Sequence, residues 1–495
     1  MRFTSTRAQA DIESAHAITQ GISADGGLFV PKAFPVLTDD LIDRLCDMDY
    51  QGRAFEILRL YLTDFTDQEI RDSVAAAYTG KFENEQPAPL HPLRDGVFML
   101  ELWHGPTCAF KDMALQLLPQ LLTRSAKKVA DGKTMVILVA TSGDTGKAAL
   151  DGFADVPDTD IIVFYPQDGV SPMQKLQMTT QAGNNVAVCA IKGNFDDAQT
   201  GVKRIFADPA MNKLLDEHNM EFSSANSINF GRLVPQIVYY VSAYCDLLKN
   251  GTLQKGEGFN IVVPTGNFGN ILAGFYAKQM GIPIRRFVCA SNQNNVLTDF
   301  IQTGVYNRKR AFYTTTSPSM DILISSNLER LLYHLYDGDT SAVSALMQQL
   351  AETGRYEISD LARQRLQKLF FGGFCNDDQT AATIRKLFNN DGYLCDTHTA
   401  VAAKVFEDYR AQTGDMTPAV IVSTASPYKF AKSVLMAIDD DAKPQTEFEM
   451  TDRLAAVTKT TVPAALSDLK SRPVLHTACC DKTQMAAFIQ QSLGL

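Results

Sequence analysis

The sequence lacks three features that would each define a class of protein. No apolar run approaches the roughly 18 residues that a membrane span needs, and the opening MRFTSTRAQADIES has no signal-peptide core. No basic block stands out in a chain with a formal net charge of −10, which argues against nucleic acid as a partner. The nine cysteines contain no CxxC pair and the seven histidines are dispersed, which disfavours both a zinc site and a disulfide framework. These absences favour a cytoplasmic protein with no membrane contact.

The chain does contain enough apolar sequence for a large core. It has 495 residues, of which 45% are hydrophobic and 21% charged, so we expect two to four structural units. Because the net charge is negative, an anionic substrate must be held by local positive groups and backbone amides.

The first 83 residues have a mostly helical pattern. TDDLIDRLCDM and YQGRAFEILRLYL carry apolar residues at helical spacing. FTDQEIRDSVAAAY opens with Thr66 three residues before Glu69, which predicts a capping box. NEQPAPLHPLRDG (84–96) concentrates prolines and is typical of a linker. We therefore place a domain boundary near residue 90.

Beyond that boundary, short buried runs alternate with helical patterns. TMVILVA (134–140) and FNIVVPT (259–265) are each followed by a glycine-containing loop and an apolar helix, and IIVFYP, FVCAS and PAVIVST are further strand candidates. This alternation predicts βαβ units on a parallel sheet covered on both faces. From about residue 340 the pattern is mainly helical again.

Two loops fall at the carboxyl ends of predicted strands, where open parallel sheets bind ligands. PTGNFGN includes Gly266, Asn267, Phe268, Gly269 and Asn270, and its glycines before a helix start suit a phosphate, although an ordinary tight turn gives the same pattern. TSGDTGK is not a Walker loop, because only two residues separate its glycines. Its hydroxyls suit a carboxylate or simple helix capping, and they belong to Thr141, Ser142 and Thr145.

Two further motifs carry polar groups beside apolar elements. SSANSINFGRLVPQ (223–236) fits a second oxyanion, or ordinary caps and turns with a surface ion pair, and it contains Asn226, Ser227, Asn229 and Arg232. VIVSTASPYKF places Ser423 and Thr424 at a strand end, where their hydroxyls face a ligand or merely begin a loop.

One lysine has an unusual setting. In HGPTCAFKDMALQLL (104–118), Lys111 lies between a Gly-Pro turn and an apolar helix that Pro119 should kink or shorten. The positive end of the helix dipole should lower the pKa of Lys111 and favour its nucleophilic amine. Together with a phosphate cradle, this predicts a Schiff base to a phosphate-bearing aldehyde, with pyridoxal phosphate as the candidate cofactor. A plain surface lysine is the alternative.

Six motifs follow one another along the chain: HGPTCAFKD, ATSGDTGKAA, SSANSINFGRLVPQ, PTGNFGN, DTHTAVAAKV and STASPYKF. Their order is the one seen in threonine synthases of the long microbial and fungal type, which the sequence resembles over nearly its whole length. The resemblance implies a fold-type-II pyridoxal-phosphate enzyme. It divides the chain into a mostly helical N-terminal domain (1–90), a catalytic region of two α/β lobes (91–440) and a C-terminal extension packed on that region (441–495).

The resemblance also implies roles for the motif residues. Lys111 would be the Schiff-base lysine, and Thr424 would lie at the pyridine nitrogen. Asp144 stands where many relatives of the fold have Asn beside the phenolic oxygen, and Ser426 stands where the family motif usually has His. The cofactor phosphate would be held by Gly266, Asn267, Phe268, Gly269 and Asn270. The substrate carboxylate would be held by Thr141, Ser142 and Thr145, and the substrate phosphate by Asn226, Ser227, Asn229 and Arg232.

The implied reaction converts O-phospho-L-homoserine and water to L-threonine and phosphate, in a cytoplasmic monomer. Two alternatives stay open: a related phospholyase or dehydratase that yields a 2-oxo acid, and a cofactor-binding homologue without catalysis.

Overall fold

The N-terminal segment folds as four helices beside a two-stranded antiparallel sheet in the computed structural model, which describes residues 1–141, 143–168, 170–443 and 445–495. The predicted capping box is present, because Thr66 Oγ1 accepts from the Glu69 N–H and the Glu69 carboxylate accepts from the Thr66 N–H. The elements are β1 (Phe3–Ser5), α1 (Ser14–Gln20), β2 (Phe29–Pro31), α2 (Asp39–Asp47), α3 (Tyr50–Tyr61) and α4 (Asp67–Tyr78).

Strands and helices alternate through the next part of the chain. The elements are β3 (Leu90–Pro92), β4 (Val97–Glu101), α5 (Asp112–Leu115), α6 (Leu118–Val129), β5 (Thr134–Ala140), α7 (Asp144–Phe153), β6 (Thr159–Pro166), α8 (Pro172–Thr179), β7 (Val186–Lys192), α9 (Phe195–Phe206), α10 (Pro209–Glu217) and β8 (Met220–Ser223).

The remaining residues add most of the helices. The elements are α11 (Phe230–Lys249), β9 (Phe259–Pro264), α12 (Gly269–Gln279), β10 (Ile284–Ser291), α13 (Val296–Thr303), β11 (Val305–Asn307), α14 (Leu328–Leu335), α15 (Thr340–Thr353), β12 (Arg355–Glu357), α16 (Asp360–Leu369), β13 (Phe370–Phe374), α17 (Asp377–Asp391), α18 (Thr397–Thr413), β14 (Ala419–Ser423), α19 (Ala431–Ile438), α20 (Glu447–Thr458), α21 (Ala464–Ser467), β15 (Ala478–Asp481) and α22 (Met485–Leu493). Single turns of 3-10 helix cover Glu83–Glu85, Pro318–Met320, Pro427–Phe430 and Asp468–Lys470.

Two sheets organise these elements into two lobes. The larger sheet has the order β13-β10-β9-β14-β4-β3 and is parallel except for β3, which pairs antiparallel with β4 at the edge. The segment predicted as a linker therefore contains a strand, and it tolerates Pro92 because an edge strand pairs on one side only. The smaller sheet is wholly parallel, in the order β15-β7-β6-β5-β8.

The strand interiors are buried on both faces, as the continuous apolar runs predict. All of β9 and β14 is buried, and so are the five central residues of β5. One core joins the N-terminal helices to both lobes, and a second lies beneath α18 and α19. The segment that follows α19 contributes β15 to the smaller sheet. Over the described ranges, no helix has both the length and the apolar character that a bilayer crossing requires.

Candidate active site

Lys111 lies at the turn that follows β4. Its side chain is 9% exposed and its amine is 4.8 Å from the ring centre of Phe110. The helix after it is interrupted as Pro119 predicts, because α5 ends at Leu115 and α6 begins at Leu118. Since α5 has only four residues, its dipole cannot account for the predicted pKa shift. Burial instead lowers the pKa of Lys111 to about 8, against the opposing effect of the Asp144 carboxylate.

Asp144 is the carboxylate that faces Lys111. It begins α7, its side chain is 4% exposed, and its Oδ2 lies 3.7 Å from Lys111 Nζ. Its Oδ1 lies 2.8 Å from the Nζ of Lys429 and accepts a hydrogen bond of 3.0 Å from Gln174 Nε2. Burial raises the pKa of Asp144, but the two lysines outweigh it and hold that pKa well below its usual range. The carboxylate is therefore ionised.

The hydroxyl-rich loop after β5 is held together by hydrogen bonds between a threonine side chain and the backbone of the same loop. Thr141 Oγ1 accepts hydrogen bonds of 2.9 Å from the N–H groups of Gly143 and Gly146, and Thr145 is half-buried. Gly143 has φ of 132°, and a Cβ there would lie 2.4 Å from the Gln174 side chain. Ser142, the other predicted carboxylate ligand in this loop, lies outside the described residues.

The glycine loop after β9 presents an unpartnered donor. Asn270 Oδ1 accepts from the hydroxyls of Tyr239 (2.7 Å) and Tyr240 (2.5 Å), whereas its buried Nδ2 has no hydrogen-bond partner among the described residues. At Gly266 an added Cβ would lie 2.8 Å from the Ser319 carbonyl oxygen. Phe268 has φ of 62° and precedes the first turn of α12. The loop therefore offers neutral N–H donors in a space that admits no extra side chain.

Asn267 and Gly269 complete this loop. The Asn267 carbonyl oxygen accepts a hydrogen bond of 3.1 Å from the N–H of Asn327, and Gly269 is the first residue of α12. A Cβ at Gly269 would lie 3.3 Å from Asn327 Nδ2, so this asparagine packs directly against the helix start. Asn327 thereby holds the backbone of the glycine loop in place.

Arg232 is a buried cation without a carboxylate partner in the part of the chain that the structure describes. Its Nη1 donates to the Ala225 carbonyl oxygen at 2.8 Å, and burial lowers its pKa to about 10. Its positive charge also lowers the pKa of Lys111. A buried guanidinium that no acid neutralises is suited to bind an anion.

The other predicted residues of this motif differ in their contacts. Asn229 caps α11: its Oδ1 accepts from the Gly231 N–H, and its Nδ2 donates to the carbonyl oxygens of Ile18 and Ser224. All of its side-chain hydrogen-bonding groups are thus used within the protein. Ser227 Oγ accepts from Asn327 Nδ2 at 3.1 Å, and Asn226 is half-buried.

The end of β14 supports the Lys111 turn. The Thr424 carbonyl oxygen accepts a hydrogen bond of 2.8 Å from the Phe110 N–H, which places Thr424 directly beside that turn. Ser426 is fully buried and caps the short helix Pro427–Phe430. Its position as a cap gives this serine a structural role.

Three family descriptions cover most of the chain. Residues 2–78 match "Threonine synthase N terminus", residues 82–425 match "Pyridoxal-phosphate dependent enzyme", and residues 399–489 match "Threonine synthase, C-terminal". The chain belongs to the threonine synthase family of pyridoxal-phosphate-dependent enzymes. The resemblance, fold class and cofactor inferred from the motifs are confirmed at this level.

Individual threonine synthases agree with that assignment. The threonine synthase of Pseudomonas aeruginosa is 38% identical over 88% of this chain and 90% of its own length. The crystal structure of pyridoxal-phosphate-bound threonine synthase from Brucella melitensis superimposes with a TM-score of 0.88 at 35% identity, over 99% of both chains. Threonine synthase-like 1 of Homo sapiens is 41% identical over 86% of this chain, which spans 58% of that relative's length.

The residues present fit the cofactor of a threonine synthase. The cofactor carries an aldehyde and a phosphate. The site offers a buried amine on Lys111 and a buried amide donor on Asn270 that has no partner within the described part of the chain. The close approach of Gly266 to Ser319 leaves room only for backbone donors at the phosphate end. These groups would hold the cofactor at its two ends.

Several residues at the site could not be predicted from the sequence motifs. Lys429 is completely buried against Asp144, and Ser319 Oγ donates to Asp144 Oδ2 at 3.1 Å from the segment beyond β11. Asn327 joins the glycine loop to the Arg232 motif. Lys429 is part of the quoted STASPYKF, but nothing in its spacing marks it as buried, and Ser319 and Asn327 carry no sequence signal.

Two histidines without a predicted role have defined partners. His398 Nε2 accepts from the Ser319 N–H at 3.2 Å, so its Nδ1 carries the hydrogen that is donated to Asp396 at 2.8 Å. His104 lies between two glutamates, Glu101 and Glu83. Burial lowers the pKa of His104, but its hydrogen bonds to these carboxylates outweigh burial and raise it to about 9. Both histidines fix neighbouring loops.

Proposed function

We propose that this chain converts O-phospho-L-homoserine and water to L-threonine and phosphate, the last step of threonine biosynthesis. The observation that carries the proposal is a buried amine, Lys111, in one site with the buried guanidinium of Arg232, which has no carboxylate partner among the described residues. The amine suits an aldehyde cofactor, and the guanidinium suits a substrate that carries a phosphate.

Lys111 acts as the covalent anchor of the cofactor and as the proton carrier. With its pKa lowered to about 8, a useful fraction of the amine is neutral near neutral pH and free to attack an aldehyde. Bound pyridoxal phosphate supplies an electron sink for negative charge that develops on the substrate. Lys111 then moves protons at the substrate Cα and Cβ.

The glycine loop holds the cofactor phosphate in this proposal. Gly266, Asn267, Phe268 and Gly269 contribute backbone groups, and Asn270 contributes its free amide hydrogens. Thr424 would offer a hydroxyl to the pyridine nitrogen, and Asp144 would lie beside the phenolic oxygen. A hydroxyl, unlike a carboxylate, would leave that nitrogen largely unprotonated.

The substrate is held at its two charged ends. Arg232, with Asn226 and Ser227, binds the phosphate that leaves from Cγ, while Asn229 positions that loop through its backbone contacts. Thr141, Ser142 and Thr145 bind the carboxylate. Water adds at Cβ, and we expect the lobes to close so that water is excluded until that stage.

Incubation with O-phospho-L-homoserine tests the proposal. We expect phosphate and L-threonine in equal amounts and no more than traces of 2-oxobutyrate. Stoichiometric 2-oxobutyrate would instead identify a phospholyase, which the same unneutralised Arg232 would serve equally well. Bound cofactor without phosphate release would identify a non-catalytic homologue. L-Homoserine, which lacks the phosphate, is the matched control substrate and should release neither product.

A monomeric state and a cytoplasmic location remain predictions from the sequence. Light scattering of the full chain after size exclusion tests the first, and fractionation of the source cells tests the second.

A further inference from the structure

Two lysines share one buried carboxylate at the centre of the site. Lys429 is completely inaccessible, and its Nζ lies 2.8 Å from Asp144 Oδ1 and 3.0 Å from the Thr107 carbonyl oxygen. Lys111 reaches the other oxygen of the same carboxylate at the longer distance of 3.7 Å. The proposed reaction uses Lys111 and leaves Lys429 without a function.

The positions of the two lysines decide which of them forms the closer ion pair with Asp144. Lys429 and Gln174 bind its Oδ1, so the short ion pair forms on the side away from Lys111. Ser319 Oγ donates to Oδ2 and shares that oxygen with Lys111. A carboxylate with one amine for a partner keeps that amine protonated, whereas a second ammonium offsets the effect.

We propose that Lys429 is a positioning residue, which holds Asp144 in an ion pair and thereby leaves Lys111 as a free amine. The inference rests on the role proposed for Lys111. Among the described residues, the charged groups that act on Lys111 are Asp144, Lys429 and Arg232, and Asp144 is the one that favours the ammonium form. Without Lys429, the Asp144 carboxylate would have Lys111 as its remaining cationic partner.

The reactivity of Lys111 tests this directly. The full chain is freed of cofactor, treated with acetic anhydride between pH 6 and 11, and the acetylation of Lys111 is measured by mass spectrometry. We expect half-maximal labelling near pH 8 in the parent, as its lowered pKa of about 8 implies. In Lys429→Met the curve should shift upward by at least one pH unit, so that labelling at pH 8 falls about fivefold or more.

Matched variants test whether the Asp144 carboxylate causes the shift of the labelling curve. Lys429→Met combined with Asp144→Asn should return the curve to the parent position or below it, because the anion that holds Lys111 is gone. Lys432→Met removes an exposed lysine of α19 nearby and should leave the curve unchanged. Circular dichroism and thermal unfolding report whether each variant folds.

The outcomes separate this inference from the proposed function. A folded Lys429→Met with the parent curve overturns the inference, and so does a double variant that keeps the upward shift. If Lys429→Met does not fold, Lys429→Gln replaces it, because glutamine keeps hydrogen-bond donors for Asp144 and the Thr107 carbonyl oxygen but not the charge: an upward shift supports the inference, and the parent curve overturns it. A Lys111 that titrates as expected but never takes up pyridoxal phosphate refutes its proposed role and leaves the charge coupling standing.

Discussion

The two ends of the candidate site differ in the charge of the groups that they present. Around Lys111 the protein buries charges of both signs, with Asp144 between two lysines. Around Gly266 and Asn270 the contacts described above are neutral N–H, amide and hydroxyl groups. Buried charges are costly unless paired, and the carboxylate with its two lysines lies where the proposed mechanism moves a proton. The loop proposed to hold the cofactor phosphate offers a helix start and amide hydrogens instead.

Loss of Lys111 should have the largest effect. Lys111→Ala removes nucleophile and base together, so we expect turnover to fall by about 10⁴-fold or more and the visible absorbance of bound cofactor to be lost. Phosphate release and the absorption spectrum measure the two. Lys175→Ala, which removes an exposed lysine of α8, should behave as the parent. Activity of Lys111→Ala within tenfold of the parent would contradict the assignment.

Removal of the unneutralised cation should come next. For Arg232→Met we expect kcat/KM for O-phospho-L-homoserine to fall by roughly 10²- to 10³-fold, because truncation of one member of a buried charge pair costs about 2–5 kcal/mol. Steady-state phosphate release gives the ratio. The cofactor content should stay at the parent level, since Arg232 is assigned to the substrate. Loss of bound cofactor, together with a kcat/KM that returns to the parent value when pyridoxal phosphate is added in excess, would place Arg232 at the wrong end of the site.

A methyl group in the neutral end should act on the cofactor alone. Gly266→Ala brings a Cβ to 2.8 Å from the Ser319 carbonyl oxygen. Overpacking of this kind costs about 1–3 kcal/mol and is relieved when the backbone shifts. A shift of the loop would displace the N–H groups proposed to hold the phosphate, so the Kd for pyridoxal phosphate should rise several-fold. Titration of cofactor-free protein measures the Kd. Gly258→Ala is the control, because its Cβ would approach other atoms no closer than 3.4 Å. Equal Kd values for the two variants would show that the glycine loop is not part of the cofactor site.

The pH dependence of cofactor uptake should be the smallest effect and should report only on the charged end. Lys111 attacks as the neutral amine, and burial lowers its pKa to about 8. The rate of uptake by cofactor-free protein should therefore rise about fivefold from pH 7 to 8 and less than twofold from pH 8 to 9. Stopped-flow absorbance measures it. A rate that still rises about sevenfold between pH 9 and 10 would mean that the amine has an ordinary pKa.

Local patterns in the sequence predict local structure well. TMVILVA coincides with β5, the capping box at Thr66 is present, and α5 and α6 are divided just before Pro119. The motif order also predicts the family and the cofactor, and it brings Lys111 and Asp144 into one site. In these cases the information lies within a few residues of the feature.

Features made by distant residues could not be predicted in this way. The buried pair of Lys429 and Asp144 joins positions far apart in the chain, and a single lysine gives no signal of its burial. Ser319 and Asn327 reach the site only because the segment between β11 and α14 passes over it. The lowered pKa of Lys111 was predicted in the right direction but from the wrong cause, because the sequence does not reveal that α5 is a single turn.

Strand β15 also has a consequence for synthesis of the chain. It covers the outer edge of β7 although about 290 residues separate the two strands, so that edge stays open while the intervening residues are translated. At ordinary elongation rates the interval is about 15 to 60 s. During that interval the unpaired edge of β7 could pair with another nascent chain on the same mRNA. Protection by chaperones should therefore be needed most at this stage of synthesis.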